Sequence, residues 1–139
     1  MAKILSEVAA GRANVPQPSS GDVCTVPVWV NFSAELAAND LIVLAELPAG
    51  VKLVDYVIMP GGLGGTTPKV SIGSLKSDAS DIDVTYESNI AFDATAARCT
   101  GIAAANASAS AARKIALKTT AASTTAAGKK LLVLLSLVG

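Results

Sequence analysis

The chain has 139 residues, 11 basic and 11 acidic side chains, no histidine and a formal net charge of zero. One domain is expected at this length, and the missing histidine excludes an imidazole general base, a Ser-His-Asp triad and a histidine metal ligand. Zero net charge removes the long-range term that drives nucleic-acid binding, and no basic cluster is offered to an anionic membrane.

Hydrophobic residues make up 51% of the chain but aromatics only 4%, so alanine inflates the apolar share and the core must be aliphatic. Ile4, Leu5 and Val8 have helical spacing and suggest one short amphipathic turn. Residues 9–22 carry Gly11, Pro16, Pro18 and Gly21 and almost no bulky apolar side chain. Proline fixes its own φ and pushes the preceding residue toward extended geometry. Residues 1–22 therefore read as an extended N-terminal arm, or else as a terminus without a role.

From Val23 the pattern is one of short strands. Cys24, Val26, Val28, Val30 and Phe32 alternate on one face, with Thr25, Pro27 and Trp29 on the other. Pro27 has no N–H for a ladder, which points to an edge strand or a bulge. Trp29 either lies under a covering loop or anchors a partner. A strand over residues 40–47 and the turn Pro48-Ala-Gly50 lead to residues 51–59. There Val51, Leu53, Asp55, Val57 and Met59 are expected to oppose Lys52, Val54, Tyr56 and Ile58. Both faces of that strand are largely apolar, as in the interior of a packed sandwich.

Residues 60–68 hold four glycines and two prolines and read as a loop. Its Gly62-Leu-Gly64 opens a dinucleotide-type pattern, but Pro68 stands where a helix would begin, so no phosphate site is expected. Strands follow over residues 69–75 and 82–86. The nearby acidic group Asp78, Asp81, Asp83 and Glu87 lacks the glycine and distal glutamate of a calcium loop. A solvated strand face is the expectation there. Too few aromatics are present to line a sugar cleft beside these carboxylates.

Residues 88–112 are alanine-rich, with a short helix suggested around residues 93–99. Two further strands cover residues 114–118 and 129–138. The last is apolar on both faces from Leu131 to Val138 and would aggregate at an exposed edge. It must be central in its sheet or buried between subunits. Cys24 and Cys99 are too few for a disulfide framework; they either pair or serve as two small buried hydrophobes. Cys99 lacks the histidine a nucleophilic thiol needs. Glu7 interrupts any signal-peptide core, and residues 131–139 fall well short of the ~20 a spanning helix requires. A soluble, unsecreted protein is expected.

Seven or eight strands without a sustained helical period predict an all-β chain: a two-sheet antiparallel β-sandwich, jelly-roll type or immunoglobulin-like. The expected division is an arm over residues 1–22 and a sandwich domain over residues 23–139. No cofactor or metal is expected, and no enzymatic activity.

Residues 39–58, Asn-Asp-Leu-Ile-Val-Leu-Ala-Glu-Leu-Pro-Ala-Gly-Val-Lys-Leu-Val-Asp-Tyr-Val-Ile, are followed by the serine-bearing strand Val70-Ser-Ile-Gly73 and a terminal strand opening Gly128-Lys-Lys-Leu. Together they resemble small structural proteins of tailed bacteriophages, among them the head decoration or cement proteins with jelly-roll cores on short-tailed phages. The resemblance implies a jelly roll bound to the outside of a virion, with the major capsid protein as partner and a dimer or trimer of the chain itself. Neither nucleic acid nor membrane is implied as a partner. The arm, through Arg12, Val15, Pro16 and Pro18, and Trp29 on the sheet are the expected contacts. Deleting residues 2–18 is expected to leave the core folded and lower capsid occupancy. The alternatives are a tail or head-fibre component that binds the host surface, for which aromatic loop tips are scarce, and a small ligand-binding sandwich, which the missing histidine disfavours.

Overall fold

The computed structural model describes residues 3–10, 23–32, 35, 37–48, 50–59, 69–78, 80–91, 97–98, 112–120 and 130–138. Among them run nine strands: β1 (Lys3–Leu5), β2 (Val23–Asn31), β3 (Leu41–Leu47), β4 (Lys52–Met59), β5 (Lys69–Leu75), β6 (Ile82–Ala91), β7 (Ala97–Arg98), β8 (Arg113–Thr119) and β9 (Lys130–Val138). They form a five-stranded sheet, β1-β3-β8-β5-β6, and a four-stranded sheet, β2-β9-β4-β7. Every pairing is antiparallel except β1 with β3. The all-β sandwich read from the strand pattern is the fold observed, and it is compatible with the jelly-roll type.

The core lies between the sheets. Val26, Val28 and Val30 of β2, Leu131, Val133, Leu135 and Leu137 of β9, and Leu53, Tyr56 and Ile58 of β4 face it from one side. Ile42, Leu44, Ile72, Ile115 and Leu117 meet them from the other. Each aliphatic side chain so buried contributes about 1.5–3 kcal/mol. Strand β9 is central, between β2 and β4, which resolves where its apolar run belongs. The Tyr56 hydroxyl on β4 donates to Glu87 on β6 at 2.5 Å, a polar tie between the two sheets.

Two bulges change the reading of the sequence. On β4 the register runs Leu53↔Leu137 and then Asp55↔Ser136, so Val54 is an extra residue. A bulge shifts the alternation by one. Val51 and Leu53 therefore share the core face with Tyr56 and Ile58, while Lys52, Asp55, Val57 and Met59 face outward. The strict alternation expected for residues 51–59 fails at Val54, and β4 is half solvated.

On β3 the register skips Leu44 between Val43 and Ala45. The Leu44 carbonyl accepts the hydroxyl of Ser6, a fully buried residue. The Ser6 N–H donates to the Val43 carbonyl at 2.9 Å, and its Oγ accepts the Ala9 N–H at 3.0 Å. The helical turn expected from Ile4, Leu5 and Val8 is thus replaced by strand β1, paired Lys3↔Leu41, Ile4↔Ile42 and Leu5↔Val43. Three ladder partners outweigh an isolated helical turn, whose nucleation is unfavourable. After β1 the chain turns through Ser6, closed by the Ala10 N–H on the Ser6 carbonyl at 2.8 Å. Ile4 and Val8 pack on the core. Residues 3–10 are therefore built into the fold, and a deletion of residues 2–18 removes strand β1 and Ser6 along with the arm. Residues 11–22 lie outside the described residues.

Ser6→Ala removes the buried hydroxyl that joins the Leu44 carbonyl to the Ala9 N–H, so it should cost about 1–3 kcal/mol in urea unfolding. Ser80→Ala, at an exposed turn, should stay within about 0.5 kcal/mol. Equal values for the two would mean that the Ser6 hydroxyl does not tie the N-terminal segment to β3.

Part of the expected helix around residues 93–99 is instead β7, a two-residue strand paired Val57↔Arg98 and Ile58↔Ala97 on the edge of β4. The neighbouring strand supplies backbone partners that a short alanine-rich helix would have to find within itself. The rest of that stretch, and the glycine-rich loop over residues 60–68, lie outside the described residues. β6 runs five residues past the expected end at Tyr86, to Ala91. Its register against β5 shifts three times, and it approaches β5 so closely that a Cβ on Gly73 would lie 2.2 Å from the Val84 carbonyl oxygen.

Candidate functional site

An antiparallel sheet with one face in water normally alternates apolar inward and polar outward. β9 does not. Its outward positions are Lys130, Leu132, Leu134, Ser136 and Val138. The registers of β2 and β4 on β9 place outward residues in cross-strand rows: Trp29–Leu132–Met59, then Pro27–Leu134–Val57, then Thr25–Ser136–Asp55. The first two rows make one contiguous apolar patch on the outer face of the four-stranded sheet. Trp29 is 46% exposed and Met59 36%, and Leu132, Leu134 and Val57 are half-buried. Contiguous exposed apolar surface of this kind marks interaction sites.

Polar groups bound the patch at both ends. Thr25 Oγ1 and Ser136 Oγ lie 3.3 Å apart in the third row, and Asp55 Oδ1 accepts the Tyr56 N–H at 2.9 Å. Beyond Trp29, the residues Glu7, Asn31 and Lys130 line a shallow depression with the indole. Asn31 Nδ2 donates to Glu7 Oε1 at 2.8 Å, and the Glu7 N–H donates to the Trp29 carbonyl at 2.8 Å. That last bond fixes which way β2 points its backbone. The Trp29 carbonyl turns away from β9, and Pro27, two residues earlier, turns the same way. The missing proline N–H therefore falls on the edge of the sheet, where no ladder bond is lost.

The opposite surface of the sandwich is different in character. Glu46 and Lys114 are exposed cross-strand neighbours on β3 and β8. Lys118 Nζ pairs with Asp81 Oδ1 at 2.8 Å. That bond, followed by the Ile82 N–H, holds the Asp81 carboxyl below its ordinary value. Asp78 is lowered by the Ser80 hydroxyl and N–H. A small buried cluster of Leu41, Val43, Leu75 and Ala116 lies on this side of the five-stranded sheet. The acidic residues weighed as a calcium loop disperse: Asp81 goes to Lys118, and Glu87 to Tyr56. Among the described residues no group of three or more His, Cys, Asp or Glu could hold a metal ion.

Of the expected site residues, Trp29 stands on the apolar face, exposed rather than under a covering loop. Arg12, Val15, Pro16 and Pro18 lie outside the described residues. Cys24 is a half-buried free thiol, and Cys99 is likewise outside. Val57 and Met59 were not legible as partners of Trp29, because strict alternation groups them on one face with Val51 and Leu53, which the structure buries. Only the pairing of β4 with β9 shows the shift at Val54.

No protein-family model matches the chain, and no curated protein matches it significantly. Solved structures do, two phage capsids among them. A chain in the capsid of Ralstonia phage GP4 matches with a TM-score of 0.80 at 24% identity, over 99% of this chain and 97% of that one. A chain in the acidic stable capsid of Helicobacter pylori bacteriophage KHP30 matches with a TM-score of 0.53 at 16% identity, over 87% and 90%. At these identities the likeness is one of fold. Both structures are phage capsids, the setting that the resemblance of residues 39–58 also implies.

Proposed function

We propose that the chain is a non-enzymatic structural protein of a tailed-phage virion, a decoration or cement protein bound to the outer capsid surface. The observation that carries this reading is a fold shared with a chain of a phage capsid along nearly the whole of both chains. The sequence resemblance over residues 39–58 supports it by a separate route. A cement protein needs a rigid core and contact surface rather than catalytic groups, and a histidine-free aliphatic sandwich supplies that. Its work is to add contact free energy across capsid seams and so hold the head against the pressure of the packed genome.

The major capsid protein is the partner in this reading, with copies of the chain meeting as dimers or trimers at the symmetry axes of the shell. Residues 11–22 reach a neighbouring subunit through Arg12, Val15, Pro16 and Pro18. Ordering such a segment costs about 1–2 kcal/mol per residue in backbone entropy, so it orders only where it gains contacts. The protein is made in the host cytoplasm and ends on the virion exterior.

The test uses heads of the encoding phage that lack the chain, mixed with purified protein. Saturable binding at a fixed symmetry-related position, with genome release moved to higher temperature, is the expected result. Arg12→Ala combined with Val15→Ala, which leaves β1 intact, should reduce occupancy. Heads that sediment without the protein, or density for it inside the shell or on the tail, would overturn the reading.

A further inference from the structure

We infer that the chain seats on the capsid shell protein through the outer face of the four-stranded sheet, and that this face does not pair with a second copy in solution. The inference rests on the proposed capsid role and names the surface that performs it. Its first support is the contrast between the two outer surfaces. One carries Trp29, Leu132, Met59, Pro27, Leu134 and Val57 in two adjoining rows. The other exposes Glu46 and Lys114 and the Lys118–Asp81 ion pair, with Leu5 exposed beside them on the edge strand β1. Burying the charged surface would cost desolvation for little return, whereas the apolar one gains from leaving water.

The second support is area. Three strands at a spacing of about 4.8 Å, over roughly four residues rising about 3.4 Å each, give a patch of about 200 Å². Stable protein pairs bury about 800 Å² on each partner. The face alone therefore falls short of what two free copies need to hold together. On a shell it need not act alone. The depression at Glu7, Asn31 and Lys130 continues from the Trp29 end of the patch and adds polar contact surface to it. The occupant that fits is a protein surface with an apolar centre and an acidic group opposite Lys130, touching the chain at several places at once.

Four proteins test this: the wild type, Trp29→Ala, Met59→Glu, and Lys114→Ala on the charged surface. Each is checked for an unchanged melt, weighed in solution by light scattering, and sedimented with heads lacking the chain. Trp29 and Met59 are exposed, so folding should survive both substitutions. Expected are a solution mass equal for all four and binding at least tenfold weaker for Trp29→Ala and Met59→Glu, the loss typical of interface anchors, with Lys114→Ala binding as wild type. If the wild type binds and both face variants bind within twofold of it, the face is not the seat, while the capsid role stands. A wild-type dimer that Met59→Glu splits would assign the face to a second copy and overturn the inference. A wild type that does not bind heads ends both.

Discussion

Gly73→Ala is expected to cost about 3 kcal/mol and to lower the melting temperature by roughly 10 °C. β5 is flanked on both sides, by β8 and β6, and Gly73 pairs with Ala116 on one and Thr85 on the other. A Cβ there would stand 2.2 Å from the Val84 carbonyl oxygen, 2.9 Å from Ile82 Cγ2 and 3.0 Å from Thr85 Cα. The closest of these atoms belongs to the backbone, so no rotamer change relieves the clash. β6 itself has to move, against its ladder to β5. Glycine ordinarily weakens a strand, and here it permits a close approach instead. Gly50 makes the contrast: its φ of 82° is the constraint, and nothing lies within 4 Å of the position a Cβ would take. Gly50→Ala should therefore show only backbone strain of about 1 kcal/mol. Thermal and urea melts of Gly73→Ala within about 0.5 kcal/mol of wild type would mean that β6 does not sit where the pairing puts it.

Leu135→Ala should cost about 3–4 kcal/mol, and Leu134→Ala, its neighbour in sequence, about 1 kcal/mol. Leu135 is fully buried between Val26 and Tyr56, its partners on β2 and β4. Truncation there leaves a cavity that two sheets cannot close. Leu134 lies between Pro27 and Val57 on the outer face, already half in water, so less transfer free energy is lost. Urea titrations read both values, with the slope unchanged if only stability has moved. Similar costs for the two leucines would sink the assignment of inner and outer faces, and with it the apolar face.

The strands with clean alternation were legible because period two is a property of the residues themselves: β2 from Cys24 to Phe32, and β9 with its doubly apolar run. The edge position of β2 was legible in Pro27, and Trp29 in the parity of its strand. The bulge at Val54 left no such trace, since no glycine or proline marks it and it exists only in the pairing with β9. That one residue hid Val57 and Met59. β1 was misread because three residues satisfy a helical spacing as readily as a strand, and its partner starts at Leu41, far along the chain. β7 is a strand because β4 offers an edge, not because an alanine-rich sequence prefers one. The acidic face around Asp81 was readable as solvated, but its ion pair with Lys118 joins the turn before β6 to β8, two segments far apart in the chain.

The position of β9 also sets a schedule. β2 and β4 both pair with β9, which lies between them, so neither is in the four-stranded sheet until Lys130–Val138 has left the ribosome. At about 5–20 residues per second, the apolar sides of β2 and β4 wait several seconds without their partner. Pairings this distant in sequence are also slow to close. Completion of that sheet therefore waits on β9, and the waiting strands are natural clients for chaperones. Leu132 and Leu134 form the middle column of the apolar face, so a chain stalled before Lys130 has no face to present. The apolar face is therefore complete only once β9 stands between β2 and β4.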